Sequence, residues 1–350
     1  GIYQASLNAQ VLTFHNGVKI EFDPSSFVVN GKTWTIDESG ELEFRSRTPV
    51  TGQLVLRESN QEIRVRSVPS EKGDWNDLAV DLKKVNAGDF TPFIAPRNRL
   101  EGLLSGNILI EDPTDNLFIS SDNVLVEGTR IDNDSIGDIR TSITYDGKTQ
   151  ILKAKGVTLD SATSLAFDAD IYLGPDAERQ KTNLIALKTN GFQLKILERF
   201  LGNLFSNIQG YVTGNFDIKG QFEKLQVVGK GRLRDAGLKV NFTQCFYQII
   251  DTEIELTQNE INLNGIVLRD TVTKNPVYLS GDIQHCSLRD MFFNVRESTR
   301  KPGTTDANSN KAVQLLNTSY NDNKQFFGNV KGTGSFSLSG FQSDMFMQID

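Results

Sequence analysis

Apolar and polar side chains alternate with a period of two along most of this 350-residue chain. In Asn215–Lys219 (NFDIK), apolar residues take one parity and polar residues the other, and the same holds for Leu238–Phe242, Glu253–Leu256 and Glu260–Leu263. Val11–Phe14, Val18–Phe22 and Ile63–Arg66 read alike, with turn signals at Asn30-Gly31, Asp146-Gly147 and Asn264-Gly265. This is the pattern of strands with one apolar and one wet face. Helical spacing is scarce. It is clearest over 192–208, through Leu194, Leu197, Phe200, Leu201, Leu204 and Phe205, and weaker over 78–93, broken by Gly88 and Pro92. Two short helices cannot cover the apolar face of about twenty strands. Such a sheet must form a sandwich, close into a β-helix, or curl into an open trough.

A glycine phrase recurs. Gly102 and Gly106 in LEGLLSGNILI return 108 residues later as Gly210 and Gly214 in IQGYVTGNFDIKG. Gly328 and Gly332 in FFGNVKGTGSFSL follow after 118 more. GVTLD at Gly156 and GIVLRD at Gly265 stand 109 apart. Glycine inside a strand marks a bend, a bulge or a close backbone approach, so these six are read as bend glycines. Repetition points to an array of like units. The expected segments are a partial unit over 1–77, units over 78–183 and 184–297, a polar loop over 298–325 (Ser298–Lys311 being its most mobile part), and the start of a further unit over 326–350.

Composition removes several functions. A net charge of −7 disfavours a nucleic-acid partner. No run of 18 apolar residues reads as a membrane helix, and Gly1 opens directly into strand-like sequence, as expected of an excised piece. Cys245 and Cys286 permit either one disulfide or two buried thiols, and neither has a metal-ligand spacing. Only His15 and His285 are available as imidazole bases; His285 and Cys286 are adjacent on a strand and face opposite ways, so they make no nucleophile–base pair. The acidic turn with Asp132, Asp134 and Asp138 lacks the glycine and terminal glutamate of an EF-hand. The glycine phrases lead into strands, unlike nucleotide loops. The expectation is therefore no enzyme, no metal and no cofactor.

Leu197–Val240, LERFLGNLFSNIQGYVTGNFDIKGQFEKLQVVGKGRLRDAGLKV, resembles the repeated unit of the TamB/AsmA-like proteins: an apolar helix, a glycine-paired strand, then two further glycine-containing strands. Val277–Val295 is similar to a family segment through Gly281, His285, Asp290 and Phe292; Gln314–Gly340 and Asn30–Phe44 resemble further stretches of Bacteroidota-type TamB homologues. Cys286 and the polar linker near residue 300 depart from the pattern.

The resemblance implies an all-β fold, an elongated repeating β-groove (β-taco) whose open curled sheet has an apolar concave face, with one or two short amphipathic helices. It implies a periplasmic part of a protein anchored in the inner membrane of a Gram-negative cell, the anchor lying outside this chain. Its expected partners are phospholipid, shielded on its way between membranes, and an outer-membrane barrel protein of the TamA/BamA type. Groove-lining positions would be Phe216, Ile218, Leu225, Val227, Leu238, Val240, Phe242, Ile254, Leu256, Ile261 and Leu263. The segment 192–208 would fill or cap the groove, or meet a membrane. The alternatives are a scaffold that pairs strand edges with barrel partners, and a closed β-helix acting at a surface or on polysaccharide.

Overall fold

The computed structural model describes residues 2–6, 8–36, 39–46, 48–89, 100–113, 115–131, 134–160, 164–174, 183–220, 226–286, 289–305, 310–322, 324, 327–341 and 344–349. These are almost all strand, antiparallel throughout, as the alternation requires. The chain divides into two compact units, residues 1–161 with 166–181, and residues 162–165 with 182–350.

The first unit begins with short strands: β1 (Ile2–Ser6), β2 (Ala9–Phe14), β3 (Gly17–Phe22), β4 (Ser25–Val29), β5 (Lys32–Ile36) and β6 (Gly40–Arg45). They form two lanes, β1–β4–β5 and β2–β3–β6, which meet on β7 (Thr48–Glu58). A meander follows: β8 (Gln61–Pro69), β9 (Asn76–Asn86), β10 (Leu100–Glu111), β11 (Phe118–Ile131), β12 (Asp134–Asp146), β13 (Ile151–Thr158) and β14 (Ser164–Tyr172), each paired with its predecessor. Trp34 and Val29 on the β4–β5 hairpin pack with Val85, Leu82, Leu56 and Leu104, and Trp34 is 1% exposed.

The second unit opens with β15 (Asn183–Gln193), a short helical segment, β16 (Phe205–Gly220) and β17 (Gln226–Val240). It splits into two lanes again. β18 (Cys245–Ile249) pairs with the end of β17 and with β21 (Val267–Asp270); β19 (Thr252–Leu256) pairs with the beginning of β17 and with β20 (Glu260–Asn262). Both lanes rejoin on β22 (Pro276–Cys286), next to β23 (Arg289–Ser298). The hairpin β24 (Val313–Thr318) and β25 (Gly328–Gly332) is a separate sheet, whereas β26 (Ser335–Phe341) pairs with β23, and β27 (Asp344–Ile349) with β26.

Three expectations change. The helix expected over 192–208 is only a 3-10 turn, Leu194–Leu197, continued by α1, Glu198–Leu201. Phe192 closes β15, and Phe205 and Ile208 belong to β16. The helix expected over 78–93 is strand β9 up to Asn86, with a helical turn at 87–89; residues 90–93 lie outside the described ones. The polar segment 298–325 contains β24, and Thr299 within it is buried, donating its hydroxyl to the carbonyl of Gly334 at 3.1 Å.

Both mistaken helices have one cause. Lys84 in β9 and Asn207 in β16 adopt φ of 50° and 51°, each adding a residue that shifts the parity. Leu78, Leu82 and Val85 then share a face at helical spacing, as do Phe205, Ile208 and Val212. Asp235, at φ 49°, does the same in β17, so the apolar parity passes from Val227 and Leu233 to Ala236, Leu238 and Val240 without leaving the face.

Candidate functional site

Residues directly opposite one another in an antiparallel pair point to the same side. The register of the second unit therefore lays out one row: Leu187 opposite Phe216, Phe216 opposite Gly229, Gly229 opposite Leu256, Leu256 opposite Ile261, Ile261 opposite Ile283, and Ile283 opposite Phe293. Seven strands contribute, and no member is polar. Beside it run Ile185, Ile218 and Val227, also mutually opposite. The other parity is charged: Lys230 lies opposite Glu255, their side chains 2.9 Å apart.

Burial along this face is graded. Toward the helical segment, Leu194, Ile208, Val212, Leu233 and Ala236 are buried together, with Leu197, Leu201, Phe205 and Leu238 against them. Leu201 and Leu204 also reach Met291, Phe293 and Val295 on β23, as do Leu263 and Ile283. A second patch, Cys245, Tyr247, Ile266, Leu268 and Val277, is closed by Val313 of β24. Leu187, Phe216, Ile218, Val227, Leu256, Ile261 and Ile283 stay half-buried, Phe216 against the cluster at the helical segment and Ile283 against that of β23.

Among the expected lining residues, Ile254 belongs to both covered patches, Leu238 packs toward the helix, and Val240 and Leu263 pack against the Tyr247 patch. Phe242 lies in the turn after β17 and is 51% exposed. Leu225 lies outside the described residues. Ile185, Leu187 and Ile283 join the row without having been singled out, although their alternation in NLIALK and GDIQH is the same signal.

Gly102, Gly106, Gly210 and Gly328 adopt φ of 153°, 154°, 101° and 125°, whereas Gly214 and Gly332 do not have positive φ. Register shifts fall beside Gly102, Gly106 and Gly210. Gly214 is needed for approach rather than conformation: a Cβ there would stand 2.2 Å from the carbonyl oxygen of Lys230. On the same face, Gly229 and Gly231 leave room for the Phe216 ring, which would be 2.7 and 2.8 Å from their Cβ atoms.

The polar groups inside have structural partners. Asp270 accepts hydrogen bonds from the N–H of Val272, Thr273 and Gln314 and from the Thr273 hydroxyl. Tyr247 donates to the Gln314 carbonyl at 2.6 Å, and burial pushes its hydroxyl pKa well up. Cys245 is a buried free thiol, also raised by burial. The buried His285 is lowered by the same cause. Asp138 accepts the Gly128 N–H at 2.7 Å; Asp132 and the side chains of Asp134 and Cys286 lie outside the described residues. Among the described residues, no three His, Cys, Asp or Glu side chains come together as a metal site.

Glu297 breaks the apolar pattern. It shares the parity of Phe293 and Val295 and sits opposite Leu279 and Phe336, so burial holds its carboxyl above the ordinary 4.5. A raised carboxyl contributes its stability below that ordinary value and loses it as pH rises through the folded value. Glu297→Gln is therefore expected to match the native protein near pH 4 and to gain about 1 kcal/mol at pH 8, discounted for the surface it still shows to water. Denaturant melts at the two pH values check this; an equal gain at both would remove the charge explanation.

Comparison with protein-family models, with curated proteins and with solved structures found no match to this chain.

Proposed function

We propose that the half-buried row from Leu187 to Ile283 shields the acyl chains of phospholipid, in the manner of a TamB-like periplasmic bridge between the inner and outer membranes. The supporting observation is the unbroken apolar run across seven strands, backed by a charged outer parity, whose side chains from Leu187 to Ile283 stay half-buried while its end at Phe293 is buried. Each acyl CH₂ exposed to water costs about 0.8 kcal/mol, so an apolar path lowers the barrier to moving a two-chain lipid without any catalytic group. The helical segment serves as an inner filler in this reading, because Leu194, Leu197 and Leu201 are directed into the cluster.

The test is a photo-crosslinking residue at Phe216, compared with one at Asp217 on the other parity, in protein exposed to phospholipid vesicles. Position 216 is expected to capture phospholipid and position 217 to remain unlabelled. Equal labelling at both, or none at either, would contradict the reading.

A further inference from the structure

We infer that the face beneath the β24–β25 hairpin is a further stretch of the acyl path, filled by the hairpin in lipid-free protein and yielded when lipid enters; this rests on the lipid reading of the row. Strand β22 carries both parts of the face. Ile283 lies opposite Ile261 in the row, and Val277 lies opposite Leu268 in the covered patch. The two are an even number of residues apart, and the register against β23 is unbroken from Tyr278 to Gln284, so both point to one side. Ile249 and Ile254 pack against the covered patch and against the cluster at the helical segment alike, which makes the apolar surface continuous between the lanes.

What fills the patch is no part of the sheet. β23 and β26 are direct neighbours, with Ser298 opposite Ser335, so residues 299–334 leave the ladder and return without adding a strand to it. Their neck is closed: the Thr299 N–H donates to the Gly334 carbonyl at 3.0 Å, and the Gly334 N–H to the Thr299 hydroxyl at 2.9 Å. Val313, 1% exposed, and Leu315 enter the patch, whereas Gly328, Asn329, Val330 and Lys331 of β25 face water.

Side chains hold β24 down. The Gln314 N–H donates to the Asp270 carboxylate at 2.8 Å, and the Gln314 carbonyl accepts the Tyr247 hydroxyl at 2.6 Å. The Asn275 side-chain amide donates to the Ala312 carbonyl at 2.8 Å, and the Asn317 N–H to the Thr243 carbonyl at 2.9 Å. Asp270 and Tyr247 are opposite one another in the β18–β21 pair, so two polar groups of an apolar face stand where they grip the main chain of β24. Lifting β24 does not strand Asp270, which keeps the N–H groups of Val272 and Thr273 and the Thr273 hydroxyl. Val313 and Leu315 offer the face the aliphatic surface that an acyl chain would offer. Hairpin and lipid therefore compete for one place, and each weakens the other by the same factor.

Hydrogen exchange on the whole chain, with and without phosphatidylcholine vesicles, tests this, while a photo-crosslinking residue at Phe216 reports lipid in the row. Vesicles are expected to accelerate exchange at the Gln314 and Asn317 amides by at least about tenfold and to leave Val295 in the β23 ladder unchanged. Tyr247→Phe, which removes one grip, is expected to accelerate Gln314 without lipid and to raise capture at position 216. Capture at 216 with Gln314 as protected as before, or more so, overturns the plug and leaves the lipid reading standing. So does a folded Tyr247→Phe, checked by circular dichroism, that frees Gln314 without raising capture. No capture at 216 overturns both.

Discussion

Asp270→Ala is expected to lower unfolding stability by about 3 kcal/mol or more. Asp270 is 1% exposed and receives four hydrogen bonds. One comes from Gln314 at 2.8 Å and fastens β24 over the apolar patch around Tyr247. Alanine leaves those N–H groups buried without an acceptor. Burial pushes the Asp270 carboxyl up, but the Thr273 hydroxyl and the three backbone N–H groups outweigh it, and the net shift is below the ordinary 3.8. A depressed carboxyl contributes stability above its ordinary value and loses it as pH falls through the folded one. The deficit of the variant should therefore be full at neutral pH and shrink in acid below 3.8. Hydrogen exchange at the Gln314 amide locates the effect: it should accelerate by at least about a hundredfold, the equivalent of 2.7 kcal/mol. An unchanged Gln314 would mean that the apolar contacts and the other hydrogen bonds, that of Tyr247 to the Gln314 carbonyl among them, hold the hairpin without Asp270.

Leu256→Asp is the second large effect, on lipid rather than on folding. Leu256 lies mid-row, opposite Gly229 and Ile261, and is half-buried. On the proposed function a carboxylate there would face acyl carbon with no cation on its own parity of β19, since the neighbouring lysine, Lys230, lies on the other side with Glu255. Burying an unpaired charge against hydrocarbon costs several kcal/mol, so lipid occupancy should fall by at least about tenfold. Ile261→Asp should behave alike, and Asn215→Asp, on the polar parity, should leave occupancy unchanged.

The alternation that makes these positions visible is legible in the sequence because strand periodicity is local: Phe216, Ile218, Val227, Leu256 and Ile261 come directly from it. What defeats it is also local. Lys84, Asn207 and Asp235 are bulge residues whose positive φ goes with the register against the neighbouring strand; Asn and Asp take that conformation more readily than most residues, but they also occupy many ordinary positions of the chain, and Lys carries no such signal. By shifting parity they turn strand ends into apparent helix faces. The role of β24 was hidden for a different reason. Its cover over Tyr247 is joined by Asp270 and Gln314, 44 residues apart, and a long-range hydrogen bond has no signature in a polar stretch of chain. The glycine pairs were legible as a repeat, but not as two different devices, since Gly210 supplies a positive φ and Gly214 a close approach.

Native mass spectrometry of the gently purified chain and of Leu256→Asp tests the central claim most directly. The native chain is expected to carry phospholipid mass that the variant lacks, with both equally folded. Phospholipid retained equally by both, or absent from both after exposure to vesicles, would contradict the account.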